Sequence, residues 1–212
     1  MSGRLPSTVF ALGTVSLLTD ISAEMVTAFL PVYLIYTLQL SYVQFGLLDG
    51  LYTGATAVLR LIGGFVSDRT NRPKLVALFG YGLSAVTKLI FPMAGASSVA
   101  IGGVLAVDRA GKGIRTAPRD ALISLATPPD QLGAAFGVHR AMDTVGALCG
   151  PLLTFLILAQ LGSAAGPVFV VSFCFAAIGV VVLLTFVREH RAKAKPSKVS
   201  LRAGMGLLRD RK

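Results

Sequence analysis

The 212-residue chain is 54% hydrophobic and only 14% charged, with a mean hydropathy of +0.73, whereas a soluble domain is about a quarter charged. Its 20 Lys and Arg against 10 Asp and Glu give a formal charge of +10; these cations lie between apolar stretches, which speaks for membrane orientation and against a nucleic-acid surface. Cys149 and Cys174, each inside an apolar run, exclude a disulfide framework and a cysteine metal site.

A bilayer takes about 20 apolar residues per spanning helix, and the chain offers that length six times. The pattern predicts spans over 8–38, 42–66, 75–94, 99–117, 132–160 and 168–187. The fold class is therefore an all-α membrane protein, with a transmembrane bundle over 1–187 and a basic tail or linker over 188–212. The first run is not a signal peptide: it is too long and carries Asp20 and Glu24.

In the first span, Ser16, Asp20, Glu24 and Thr27 share one helical face. Asp20 lies about 12 residues from the start, about 18 Å deep at 1.5 Å per residue. A carboxylate at mid-membrane faces a bundle interior or a wet cavity rather than lipid. It is either a proton carrier or one arm of a static ion pair.

The second span carries Gly46, Gly50 and Gly54 at four-residue intervals, a ridge that admits another backbone. Asp49 and Arg60 lie on the same helix. In the third span Lys88 is an isolated charge, open to two readings, a cavity residue or a snorkelling chain. The fourth span places Asp108, Lys112, Arg115 and Arg119 on one face, with Arg109 beside it. That stripe is either an anion-attracting cavity wall or a salt-bridge network with Asp68, Asp120 and Asp143. The fifth span opens with His139, Arg140 and Asp143, spaced for local pairing; His139 reads as a satisfied structural residue or a group titrating near neutral pH.

The connections 39–41, 95–98 and 161–167 contain no charged residue. Those after the second and fourth spans hold Asp68, Arg69, Arg72 and Lys74, then Arg115, Arg119, Asp120 and Asp130. By the positive-inside rule both termini and the charged connections are cytoplasmic, at a cell (inner) membrane. In the tail, Leu201, Met205 and Leu208 recur among arginines, which suits either an interfacial helix or a disordered segment. No zinc-protease motif, nucleophile elbow or phosphate loop is present, so no enzyme chemistry, cofactor or metal site is expected.

The sequence G-F-V-S-D-R-T-N-R-P-K, with Gly64, Asp68, Arg69, Asn71 and Arg72, resembles the loop motif G-x-L-A-D-R-x-G-R-K of the major facilitator superfamily. Asn71 replaces a glycine but tolerates left-handed backbone angles. R-A-G-K-G, from Arg109, resembles R-x-x-Q-G with Lys112 for glutamine. G-A-L-C-G-P fits the antiporter motif G-x-x-x-G-P through Gly146, Gly150 and Pro151. The stretches 111–120 and 136–143 look typical of one bacterial branch of permeases.

The resemblance implies one six-helix half, a 3+3 inverted repeat, of a twelve-span carrier with its cavity between halves. It implies that Asp68, Arg69 and Arg72 form a cytoplasmic gate, supported by Arg115, Arg119, Arg140 and Asp143. Arg109 would influence proton coupling, and the fifth helix would bend or thin where the other half packs. The expected function is secondary active transport of a small molecule by alternating access, as proton-coupled export. A symporter and a non-transporting scaffold, or a half needing a partner half, are the alternatives. The expected cavity residues are Asp20, Glu24, Asp49, Arg109 and Lys112. The expected partners are a small-molecule substrate, protons, the lipid bilayer and a second six-helix half, with no nucleic acid.

Overall fold

A computed structural model describes residues 4–37, 39, 41–94, 97–162 and 165–191. The two readings of the tail around Leu201, Met205 and Leu208 lie outside the described residues. Six long α-helices follow one another: α1 (Ser7–Val32), α2 (Tyr42–Thr70), α3 (Pro73–Ile90), α4 (Ser98–Ala126), α5 (Leu132–Leu161) and α6 (Ala165–Phe186).

Local chemistry explains several boundaries. Pro31 removes the N–H that would bond the Thr27 carbonyl, and the backbone widens into a π turn at Tyr33–Thr37 just beyond it. Asn71 takes the left-handed conformation, φ 51°, in the tight link from α2 to α3, and Pro73 opens α3 where its missing N–H costs nothing. Ser97 caps α4, its hydroxyl oxygen accepting the Ala100 N–H at 3.3 Å. Gly162, φ 68°, ends α5.

The fourth helix corrects the sequence reading. Its expected end at residue 117 moves to Ala126, so Arg115, Arg119 and Asp120 are helical rather than in a connection. Pro118 sits inside the helix and deletes a single hydrogen bond. The charges beyond it find partners within the bundle, so the helix has no reason to stop there. Among the described residues, four stretches are long and apolar enough to cross a membrane: Ser7–Ile35, Pro73–Ala94, Pro129–Leu161 and Gly166–Phe186. The 29-residue helices α2 and α4 match them in length, but their charges break the apolar run.

In the packing, α1 lies against α5 and α6, α4 against α2 and α3, and α3 against α6. Two apolar clusters form. One joins Met25, Phe29, Phe91, Ile101, Leu105 and Phe169, with Phe91 stacked on Phe169 at 5.0 Å and Phe29 edge-on to it at 5.7 Å. The other joins Val9, Leu12, Tyr81, Leu122, Ala135 and Leu183. The first gathers the ends of α1 and α3 and the starts of α4 and α6. The second gathers the starts of α1, α3 and α5 and the ends of α4 and α6. Odd and even helices therefore run in opposite directions, and every charged residue between Leu105 and Leu122 of α4 falls in the layer between the clusters.

Small residues set the closest approaches. A Cβ on Gly150 would lie 2.8 Å from the Ile21 carbonyl oxygen, and Gly146 meets Leu17 in the same way. Gly80 and Gly111 face each other so closely that a Cβ on either would lie 2.7 Å from the other's carbonyl. The helix 5 motif thus seats α5 on α1. The expected ridge of Gly46, Gly50 and Gly54 receives no such neighbour: nothing described lies within 4 Å of their Cβ positions.

A charged cavity between four helices

Between the two clusters lies a cavity of about 490 Å³. α1 contributes Asp20; α2 contributes Thr53, Thr56, Ala57 and Arg60; α5 contributes Arg140 and Asp143. α4 supplies the remainder, Arg109, Lys112, Arg115, Thr116 and Arg119, at the three- and four-residue spacing of one helical face.

The α1 carboxylates both meet α4. Lys112 Nζ donates to Glu24 Oε1 at 3.2 Å, and the Arg115 guanidinium lies 3.7 Å from Asp20. The buried Arg115 also stacks over the Tyr81 ring, 4.4 Å from its centroid, which replaces lost hydration with a cation–π contact. Around Ser16 a three-helix relay forms. Arg119 donates to the Ser16 hydroxyl at 3.1 Å, and that hydroxyl donates to Asp143 Oδ1 at 2.6 Å. Arg119 further binds Asp120 at 3.0 Å, while Arg140 holds Asp143 at 3.3 Å. Arg60 reaches Asp120 at 3.5 Å from α2.

The stripe expected on α4 divides. Asp108 turns to α3, where buried Lys88 donates to it together with Ser84 at 2.7 Å and Thr87 at 3.0 Å. Lys88 is thus neither a cavity residue nor a snorkelling one; it is 1% exposed and ion-paired within the bundle. Asp49 is exposed and lies outside the cavity, one turn beyond Thr53. Of the expected gate residues, Gly64 packs beside Ala117, and Asp68, Arg69 and Arg72 are exposed. Arg119 and Arg140 each pair with Asp143, whereas Arg115 pairs with Asp20 and no described ion pair includes Asp68. His139 is fully buried with no hydrogen-bond partner on either ring nitrogen among the described residues, so it is not the satisfied residue its position suggested. Sequence reasoning missed Thr53, Thr56 and Tyr81. The threonines lie at i, i+3 and i+7 with Arg60, a spacing that marks one α2 face; Tyr81 left no signal.

The model for the Major Facilitator Superfamily matches residues 12–211. The chain belongs to the major facilitator superfamily. Membership makes it a multi-pass membrane protein of a transporter family. An uncharacterized MFS-type transporter of Methanocaldococcus jannaschii is 36% identical over 208 residues, 95% of this chain and 50% of that protein. A probable actinorhodin transporter of Streptomyces coelicolor is 28% identical over 148 residues, 68% of this chain and 25% of that one. Among solved structures, a POT family transporter in complex with 5-aminolevulinic acid superposes with a TM-score of 0.80 at 16% identity, over 96% of this chain and 44% of that one; this likeness concerns the fold alone. The major facilitator chain described here thus spans half or less of the length of these relatives.

Proposed function

We propose that the chain forms one six-span half of a proton-coupled carrier that moves a small molecule across the cell membrane by alternating access. The carrying observation is the pair of α1 carboxylates: Asp20 lines the cavity and pairs with Arg115, and Glu24, just outside it, pairs with the cavity's Lys112. Protonating either carboxylate cancels its attraction for Arg115 or Lys112, so proton binding and α1–α4 cohesion are linked. A proton moving down 100 mV supplies about 2.3 kcal/mol, more than the roughly 0.2–1 kcal/mol of a solvent-accessible ion pair.

Six spans agree with the alternating helix directions. A 3+3 repeat agrees with the packing: exchanging α1 for α4, α2 for α5 and α3 for α6 maps α1–α5 onto α4–α2 and α1–α6 onto α4–α3. Lys and Arg in the α2–α3 link place that side and both termini in the cytoplasm. There Asp68, Arg69 and Arg72 act as the gate, with Arg119, Arg140 and Asp143 behind it. A second six-helix unit is the proposed partner, docking where Gly46, Gly50 and Gly54 of α2 and exposed Leu148, Leu152 and Phe155 of α5 lack neighbours.

Export by antiport is supported by the Gly146, Gly150 and Pro151 motif. Symport is the second reading. It is favoured by the Glu24–Lys112 pair, because a proton on Glu24 frees a cation in the cavity. Proton flux in proteoliposomes tests the proposal, with the chain alone and with a co-expressed second unit. Asp20→Asn and Glu24→Gln should abolish flux with insertion unchanged; full flux in both variants rejects the coupling role.

A further inference from the structure

We infer that the ligand of the cavity is an anion received by Arg109, a conclusion that rests on reading the cavity as the transport site. The charge pattern carries it. Six cationic side chains line the cavity, against Asp20 and Asp143. Including Glu24 and Asp120, which bond these cations from just outside, leaves four carboxylates for six cations. Five of the six lie within 4.0 Å of a carboxylate. Among the described residues Arg109 is the exception. Its guanidinium makes a long 3.5 Å hydrogen bond to the neutral Thr27 hydroxyl and has no described ion pair.

Position strengthens the case. On α4, Arg109 is the cavity cation nearest the apolar cluster at Leu105, and it is half-buried. A cation taken part-way out of water is costly unless an anion compensates it, and the buried Arg115 and Arg119 already have carboxylate partners. A cationic ligand would add like charge where the dielectric is low and the repulsion strong. A guanidinium is planar and presents paired N–H donors, which fit a carboxylate, phosphate or sulfonate in bidentate fashion. Lys112, one turn along α4, supplies a second charge once Glu24 is protonated. Anion binding that follows protonation of Glu24 accords with the symport reading.

The test is binding of radiolabelled inorganic phosphate to the purified chain in zwitterionic nanodiscs at fixed ionic strength, with tetramethylammonium as the cationic counterpart. Saturable phosphate binding is expected. Arg109→Gln should weaken it by about tenfold or more, as expected for loss of a charge-assisted hydrogen bond. Arg109→Lys should retain most of the affinity, and Arg188→Gln, remote from the cavity, all of it. Helicity and monodispersity of each variant show that it has folded. Absent saturable binding, wild-type affinity in Arg109→Gln, or binding of tetramethylammonium instead of phosphate would overturn the inference. Proton flux in proteoliposomes that hold the same variants with a co-expressed second unit separates the two conclusions. Flux without phosphate binding removes the anion and leaves the carrier; phosphate binding without flux leaves the anion site and removes the carrier.

Discussion

Replacing Lys88 with methionine tests whether the buried pair on α3 and α4 holds the bundle together. The Lys88 and Asp108 side chains are 1% and 9% exposed. Removing one member of such a pair costs about 3–5 kcal/mol, because the other charge stays buried without compensation. The surroundings rank the two single variants. After Lys88→Met, the Asp108 carboxylate keeps hydrogen bonds from Ser84 and Thr87, so the cost should fall near 3 kcal/mol, the low end of that range. After Asp108→Ala, the ammonium keeps only the Ser84 hydroxyl at 3.3 Å, and the cost should approach about 5 kcal/mol. The double variant Lys88→Met with Asp108→Leu carries no buried charge and should recover to within about 1–2 kcal/mol of wild type. Reversible unfolding in mixed detergent micelles, followed by circular dichroism, measures all three. Single-variant costs below about 1 kcal/mol, or a double variant as damaged as the sum of the singles, would refute the reasoning.

Gly150→Val should lower the folded fraction by about 1–3 kcal/mol, because its side chain meets the Ile21 carbonyl; Gly46→Ala, facing open space, should stay within about 0.5 kcal/mol in the same assay. Ser16→Ala removes the hydroxyl between Arg119 and Asp143 and should cost about 1.5–3 kcal/mol, the range for hydrogen bonds to charged groups; a neutral effect on unfolding would dismiss the relay. Phe169→Ala should cost about 3–5 kcal/mol, since Phe29 and Phe91 both pack on that ring. For orientation, Asp68→Cys should react with an impermeant maleimide only from the cytoplasmic side of oriented vesicles, and Asp49→Cys only from the other; the reverse pattern would invert the proposed topology.

The helices were legible because their apolar runs have bilayer length, and α1, α3, α5 and α6 keep that signal in the structure. The α1 stripe was legible for a related reason: Asp20 and Glu24 could not face lipid, and both do pair within the bundle. What failed was whatever depends on the neighbouring helix. Asp108 shares a helical face with Lys112, yet one turn of axial offset brings it to Lys88 instead of α1. The ridge at Gly46, Gly50 and Gly54 meets no described helix, and the backbone contacts of α2 with α4 fall further along, where Gly113 meets Thr56 and Gly63 meets Ile114. The fourth span was expected to stop at residue 117, but α4 runs through Pro118 to Ala126, its next turn held by the ion pairs of Arg119 and Asp120.

The two hydrophobic clusters carry a mechanical implication. Each draws residues from α1, α4 and α6, one adding α3 and α5 and the other Phe91 just after α3, so both ends of the bundle are riveted across the boundary between its first and last three helices. Prying those triplets apart would expose both greasy plugs at once. Under the proposed alternating access, this bundle would swing as one lever, with its ion pairs near the fulcrum.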